Sequence, residues 1–116
     1  MSSSIRLGEI AHARSGDKGG HANVGVIAYN QSGYEYLRSV VTEQVIGEFF
    51  AGLQPSRVER FELPGIHALN FLLHNALQGG ASLSLRTDTQ GKILGLAVLE
   101  MTIPRPENLE PMQKES

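Results

Sequence analysis

The sequence predicts an α+β fold, a two-layer sandwich with a mostly antiparallel sheet and two helical segments on one face. Three observations predict it. Runs that alternate with period two, such as Arg57 to Leu63, read as strands. Tyr34, Leu37, Val40 and Val41 instead recur at helical spacing, as do Val45, Ile46, Phe49, Phe50 and Leu53. Taken along the chain, the elements run β-β-α-β-α-β-β, and strands mixed with amphipathic helices call for helices packed on one side of a sheet.

Ile5 to Ala13 reads as a partly buried strand, with Ile5, Leu7, Glu9, Ala11 and Ala13 on one parity. A polar, glycine-rich loop is expected from Arg14 to His21, and Ala22 to Ala28 supplies a short apolar run suited to a central strand. Asn30-Gln31-Ser32-Gly33 opens a helix, and Thr42 is placed to cap a second helical segment that Gly52 and Pro55 end. Arg57 to Leu63 is a strand stopped by Pro64-Gly65. Ile66 to Leu77 reads as a helix closed by Gln78-Gly79-Gly80. Ala81 to Thr87 and Lys92 to Ile103 read as two last strands joined by a turn at Asp88-Thr89-Gln90-Gly91. Residues 1–103 thus form one domain, and the proline-rich, polar stretch 104–116 is expected to be a disordered tail.

With 116 residues, 41% of them hydrophobic, the chain has enough apolar content for one core and too little length for a second domain. A formal net charge of −2 and the lack of a basic stripe argue against nucleic-acid and membrane-surface binding. The absence of cysteine excludes disulfides, thiolate nucleophiles and clusters held by protein thiolates. It also favours a reducing compartment. Met1-Ser2-Ser3-Ser4-Ile5-Arg6 has no apolar stretch of the signal-peptide kind, so a cytoplasmic location is expected.

Chemistry concentrates between residues 14 and 23. Arg14, Ser15, Asp17, Lys18, His21 and Asn23 gather there around Gly16, Gly19 and Gly20. Glycines let successive backbone N–H groups turn inward to form an anion-binding concavity, which Arg14 and Lys18 would reinforce. Such a loop suits a phosphate or a carboxylate, although the same residues also serve an ordinary connection between strands. Neither the Walker A nor the dinucleotide-binding glycine pattern is present. On the expected Ile66–Leu77 helix, His67, Asn70, Phe71, His74 and Gln78 form an outward stripe read as an oligomer or partner contact. His67 and His74 lie two turns apart, which does not suit a zinc helix, and neither a metal nor a cofactor is expected. Arg86 to Lys92 is a third polar segment, read as a hairpin with opposite charges at its ends.

Ile10-Ala11-His12-Ala13-Arg14-Ser15-Gly16-Asp17-Lys18-Gly19-Gly20, followed by Ala22-Asn23-Val24-Gly25-Val26, resembles the AtuA-like family, named for an acyclic terpene utilisation protein. So do Leu63-Pro64, Ala68-Leu69-Asn70-Phe71, Ala76-Leu77-Gln78-Gly79-Gly80, and Ser84-Leu85-Arg86-Thr87-Asp88 with Gly91-Lys92. The resemblance spans about Leu7 to Met101 and implies a ferredoxin-like fold, in the topological sense alone. It implies the stand-alone form of a domain otherwise found at the C-terminus of larger AtuA-type proteins. By association it implies a place in acyclic terpene or branched acyl-CoA breakdown. The expected role is a small companion subunit of a larger AtuA-type protein, not a complete enzyme. A homo-oligomeric module that binds a CoA ester or another anionic small molecule is the alternative. A third reading is a free-standing enzyme that uses His21 or His12 with Asp17.

Overall fold

A computed structural model of the chain describes residues 3–18, 20–76 and 88–114. Strand β1 (Ser4–Arg6) leads through a single 3-10 turn at Leu7–Glu9 into β2 (Ala11–Lys18) and β3 (His21–Ala28). Helices α1 (Gln31–Val40) and α2 (Glu43–Phe49) follow, then β4 (Arg57–Leu63) and β5 (Ala68–His74). Helix α3 (Asp88–Val98), strand β6 (Thr102–Pro104) and the short helix α4 (Leu109–Met112) complete the chain. The main sheet is antiparallel throughout, in the order β2-β3-β5-β4, and β1 pairs with β6 in a separate two-stranded ribbon.

The α+β class and the antiparallel sheet follow the sequence reading. So do both helix starts: Asn30 accepts from the Gly33 N–H at 2.9 Å and Thr42 from the Val45 N–H at 3.2 Å, which satisfies N–H groups that a helix leaves without partners. Strand β4 occupies the expected residues.

Four local expectations are corrected. Arg14 to Lys18 is not loop but the second half of β2, paired residue for residue with β3 from Ala11↔Ala28 to Lys18↔His21. The expected Ile66–Leu77 helix is instead β5, wedged between β3 and β4 with both its edges paired. Leu69 and Leu73 fit a helical stripe as well as a period of two, whereas buried Phe71 fits only the latter, and pairing on both sides makes the segment a strand. The expected turn at residues 88–91 and most of the strand Lys92–Ile103 are helix α3, whose Leu94 and Val98 lie one turn apart in the core. The segment after Pro104 is not a featureless tail. Leu109 and Met112 are buried in the common core, and Asn30 Nδ2 donates to the Pro111 carbonyl at 2.6 Å. The expected strand Ala81–Thr87, with Arg86, and the glycine C-cap at residues 78–80 lie outside the described residues.

The three longer helices all lie against one face of the sheet. On that face Val24 and Val26 of β3 meet Leu69, Phe71 and Leu73 of β5, and these pack with Leu37, Ile46, Leu94 and Val98 from the helices. Strand β3 alternates without a break, with Ala22, Val24, Val26 and Ala28 buried and His21, Asn23, Gly25 and Ile27 partly exposed. This alternation, imposed on the sheet by register, leaves a second face that no helix covers among the described residues.

Candidate functional site

The open face can be read in rows, because residues directly opposite each other in antiparallel strands project to the same side. One row crosses His12, Ile27, Ala68 and Leu63, and the next crosses Arg14, Gly25, Asn70 and Phe61. The third crosses Gly16, Asn23, Leu72 and Glu59, and His21, His74 and Arg57 stand in the fourth. Apolar residues gather at one end of the face and imidazoles with charged groups at the other.

Gly25 makes the centre concave. Lacking a side chain between Arg14 and Asn70, it floors a groove of about 290 Å³ walled by Arg14, Asn23, Asn70, Ile27, Leu63 and Ile66. Two strand spacings separate the backbones of Arg14 and Asn70, roughly 10 Å, enough to admit a ligand group between them. Asn70 Oδ1 lies 3.5 Å from where a Cβ on Gly25 would stand, so its amide leans over the glycine. Among the described residues, the Arg14 guanidinium and the amides of Asn23 and Asn70 have no hydrogen-bond or ion-pair partner. One cation and two amides beside apolar residues make a donor set of the kind that can orient an anionic group next to a hydrocarbon portion. Leu63, Phe61 and Ile66 are 42%, 45% and 62% exposed, so the apolar wall continues onto the surface.

Strand alternation distributes the six residues singled out from the sequence. Arg14, His21 and Asn23 reach the open face, whereas Ser15 and Asp17 stand on the helix side of β2. Ser15 accepts from the Gly95 N–H at 2.6 Å and so helps to seat α3. The Lys18 backbone pairs with His21. Because Arg14 to Lys18 runs as extended strand paired with β3, the expected loop of inward-turned N–H groups does not form there, and Arg14 and Asn23 are instead carried on the open face by strand alternation.

The outward stripe expected at 67–78 is also redistributed. Phe71 is fully buried, His67 sits in a left-handed turn, and Asn70 and His74 face the open side. His12 stacks on Tyr29, with ring centroids 5.6 Å apart, and lies away from Asp17 at the far end of β2. Gly25, Ile27, Leu63 and Ile66 escaped the sequence reading. The period-two signal in β3 would have grouped Gly25 and Ile27 with Asn23, but nothing local joins them to Leu63 and Ile66, which only register brings near.

At the polar end, Glu59 Oε1 lies 2.7 Å from His74 Nε2 and Oε2 lies 3.0 Å from Arg57. His21 accepts from the Asn75 backbone N–H at Nδ1, 2.9 Å away, and its ring meets His74 edge-on with centroids 5.4 Å apart. No set of three or more histidine, aspartate or glutamate side chains is arranged to hold a metal ion among the described residues.

Neither a curated protein nor a solved structure matches the chain. A family model does, over residues 5–104, which takes in all of β1 but Ser4, β2 through β6, and the open face with its groove. On that match the chain belongs to the AtuA ferredoxin-like domain family.

Proposed function

We propose that this domain is a companion to a larger AtuA-type protein and holds the anionic portion of an acyl compound, such as a CoA ester, on its open sheet face. The groove over Gly25 carries the reading: a guanidinium and two amides, without partners among the described residues, stand beside an apolar wall. Arg14 would pair with a phosphate or carboxylate, Asn23 and Asn70 would orient it, and Ile27, Leu63 and Ile66 would cover hydrocarbon. Membership of the family supports the AtuA-type partner, and the cysteine-free composition suits a reducing compartment such as the cytoplasm. No helix among the described residues is long and apolar enough to cross a membrane.

The test is titration of the purified protein with butyryl-CoA, followed by calorimetry and NMR. Saturable binding that Arg14→Ala weakens about tenfold or more, with an unchanged unfolding midpoint, supports the reading. Absence of binding, or equal binding by Arg14→Ala, rejects the groove as the site. Affinity capture from the native host then tests the partner: co-purification of a stoichiometric AtuA-type protein supports it.

A second reading has its own observation. Phe61, Leu63 and Ile66 form an exposed apolar edge to the open face, which a second copy of the chain could cover to make a homo-oligomeric binding module. Light scattering of wild type and Leu63→Glu separates the two: a dimer that the substitution dissociates favours self-association, and a monomer rejects it.

A further inference from the structure

The polar end of the open face holds two imidazoles in the same Nε2–H tautomer whose protein contacts leave opposite nitrogens free. The Asn75 N–H can only donate, so His21 Nδ1 carries a lone pair and the neutral ring bears its proton on Nε2. The Glu59 carboxylate spends one oxygen on Arg57 and accepts with the other from His74, which places the His74 proton on Nε2 and leaves Nδ1 as a lone pair. A proton donor and a proton acceptor thus stand side by side on rings 5.4 Å apart.

Surrounding contacts hold this pair. Asn75 adopts a left-handed backbone with φ of 60°, which a non-glycine residue takes up seldom, and this aims its N–H at His21. Its side chain donates to Ser56 Oγ at 2.8 Å, and the Ser56 N–H donates to the His74 carbonyl at 2.9 Å. His21 and His74 are each only partly exposed, so the pair is shielded yet reachable from the open face.

We propose that His74 and His21 form an acid–base pair that enolises a carbonyl compound bearing a C–H bond next to its carbonyl group. His74 Nδ1 takes the carbon-bound proton. The C–H electron pair becomes the carbon–carbon double bond, and the carbonyl π pair moves to oxygen, where His21 Nε2–H holds the enolate. The proton on His74 trades with solvent and its replacement returns to the same carbon, which completes an exchange; in an unsaturated substrate, return to the conjugated carbon completes an isomerisation, and neither consumes an oxidant or reductant. Glu59 is a positioning residue, since it fixes the His74 tautomer and stabilises the imidazolium that forms. A substrate anchored at Arg14 would run its chain past Asn23 and Leu72, away from Ile27, Leu63 and Ile66, to place its carbonyl two rows away, roughly 13 Å along the strands; this part of the inference rests on the groove reading only for the anion at Arg14.

The experiment follows deuterium uptake by NMR in heavy water, with 9-oxodecanoate as an anionic ketone and butanone as a ketone without an anchor. Binding of 9-oxodecanoate is measured separately by calorimetry. Wild type is expected to accelerate exchange of the keto acid by about 100-fold or more over buffer, and His74→Gln to abolish the acceleration. Glu59→Gln is expected to lower kcat several-fold with KM unchanged. Should His74→Gln fail to fold, His21→Ala reads the same chemistry through loss of the enolate donor. Binding of the keto acid with exchange at the buffer rate overturns this inference and leaves the groove standing. Butanone exchange that depends on His74, without keto-acid binding, upholds the inference and removes the groove. Exchange that persists in both histidine variants overturns it.

Discussion

Gly95, in the middle of α3, donates its backbone N–H to the Ser15 hydroxyl on β2 at a distance of 2.6 Å. A Cβ on Gly95 would stand 2.9 Å from that hydroxyl and 3.3 Å from the Arg14 carbonyl carbon and the Ser15 nitrogen, so helix and strand meet where only glycine fits without movement. The contact fixes the backbone from which Arg14 projects to the opposite face. It links seating of the helix to the geometry of the groove.

Gly95→Ala tests that contact. Glycine inside a helix costs about 1 kcal/mol relative to alanine, so propensity alone predicts stabilisation. Overpacking against the β2 backbone costs roughly 1–3 kcal/mol, and the variant is expected to be less stable on balance. Denaturant midpoints check this, and Ser15→Ala in the same background should recover part of the loss, as contacting residues do in a double-mutant cycle.

Gly25→Val separates the groove from the fold. A Cβ here meets Asn70 Oδ1 at 3.5 Å and the Arg14 carbonyl oxygen at 3.7 Å, ordinary contacts, and valine suits a central strand better than glycine by up to about 1 kcal/mol. Stability should hold or rise while the groove fills. Loss of butyryl-CoA binding in a protein with an unchanged unfolding midpoint is the expected pair of results.

Arg60 ties β4 to the end of α1. Its Nη1 donates to the Arg38 carbonyl at 2.8 Å and the Val41 carbonyl at 2.9 Å, and Nη2 meets Glu62 at 3.1 Å. Arg60→Met keeps much of the stem packing but leaves those carbonyls without their donor. A loss of about 1–3 kcal/mol in urea denaturation is expected, with ligand binding retained because the side chain lies on the helix side of the sheet.

Tyr36 makes stability fall at high pH. Burial pushes its hydroxyl above the ordinary value of about 10, and that hydroxyl donates to the Pro104 carbonyl. Below the unfolded value the group is neutral in both states and its contribution is complete. As pH rises towards the higher folded value, the unfolded chain ionises first and the contribution is lost. Wild type should therefore lose more stability than Tyr36→Phe between about pH 9 and pH 11.

Much of the scaffold was legible because its signals are local. Asn30 and Thr42 marked helix starts through their side-chain oxygens, and Arg57 to Leu63 alternated between Pro55 and Pro64. The polar residues of the groove were legible only in part. Arg14, His21 and Asn23 were singled out for their chemistry, but as members of a loop, because Gly16, Gly19 and Gly20 among polar neighbours carry the composition of a turn. The turn shrinks towards Gly20, whose φ is 96°, and the ladder with β3 claims everything before Gly19.

The sequence by itself determined the α+β class, the absence of cysteine chemistry, the first two helices, strands β3 and β4, and the presence of unusual polar residues near the N-terminus, whereas the single strand read over Ile5–Ala13 is β1, a 3-10 turn and the start of β2. Tertiary structure decided the identities of β5 and α3, since Leu69 with Leu73 and Leu94 with Val98 satisfy both periods and only the edges that β3 and β4 offer select a strand for one of them. It also decided which polar residues share a surface. A strand sends neighbouring residues to opposite faces, so Arg14 and Ser15 part company, while Asn70 and His74, far along the chain, join Asn23 and His21 through register alone.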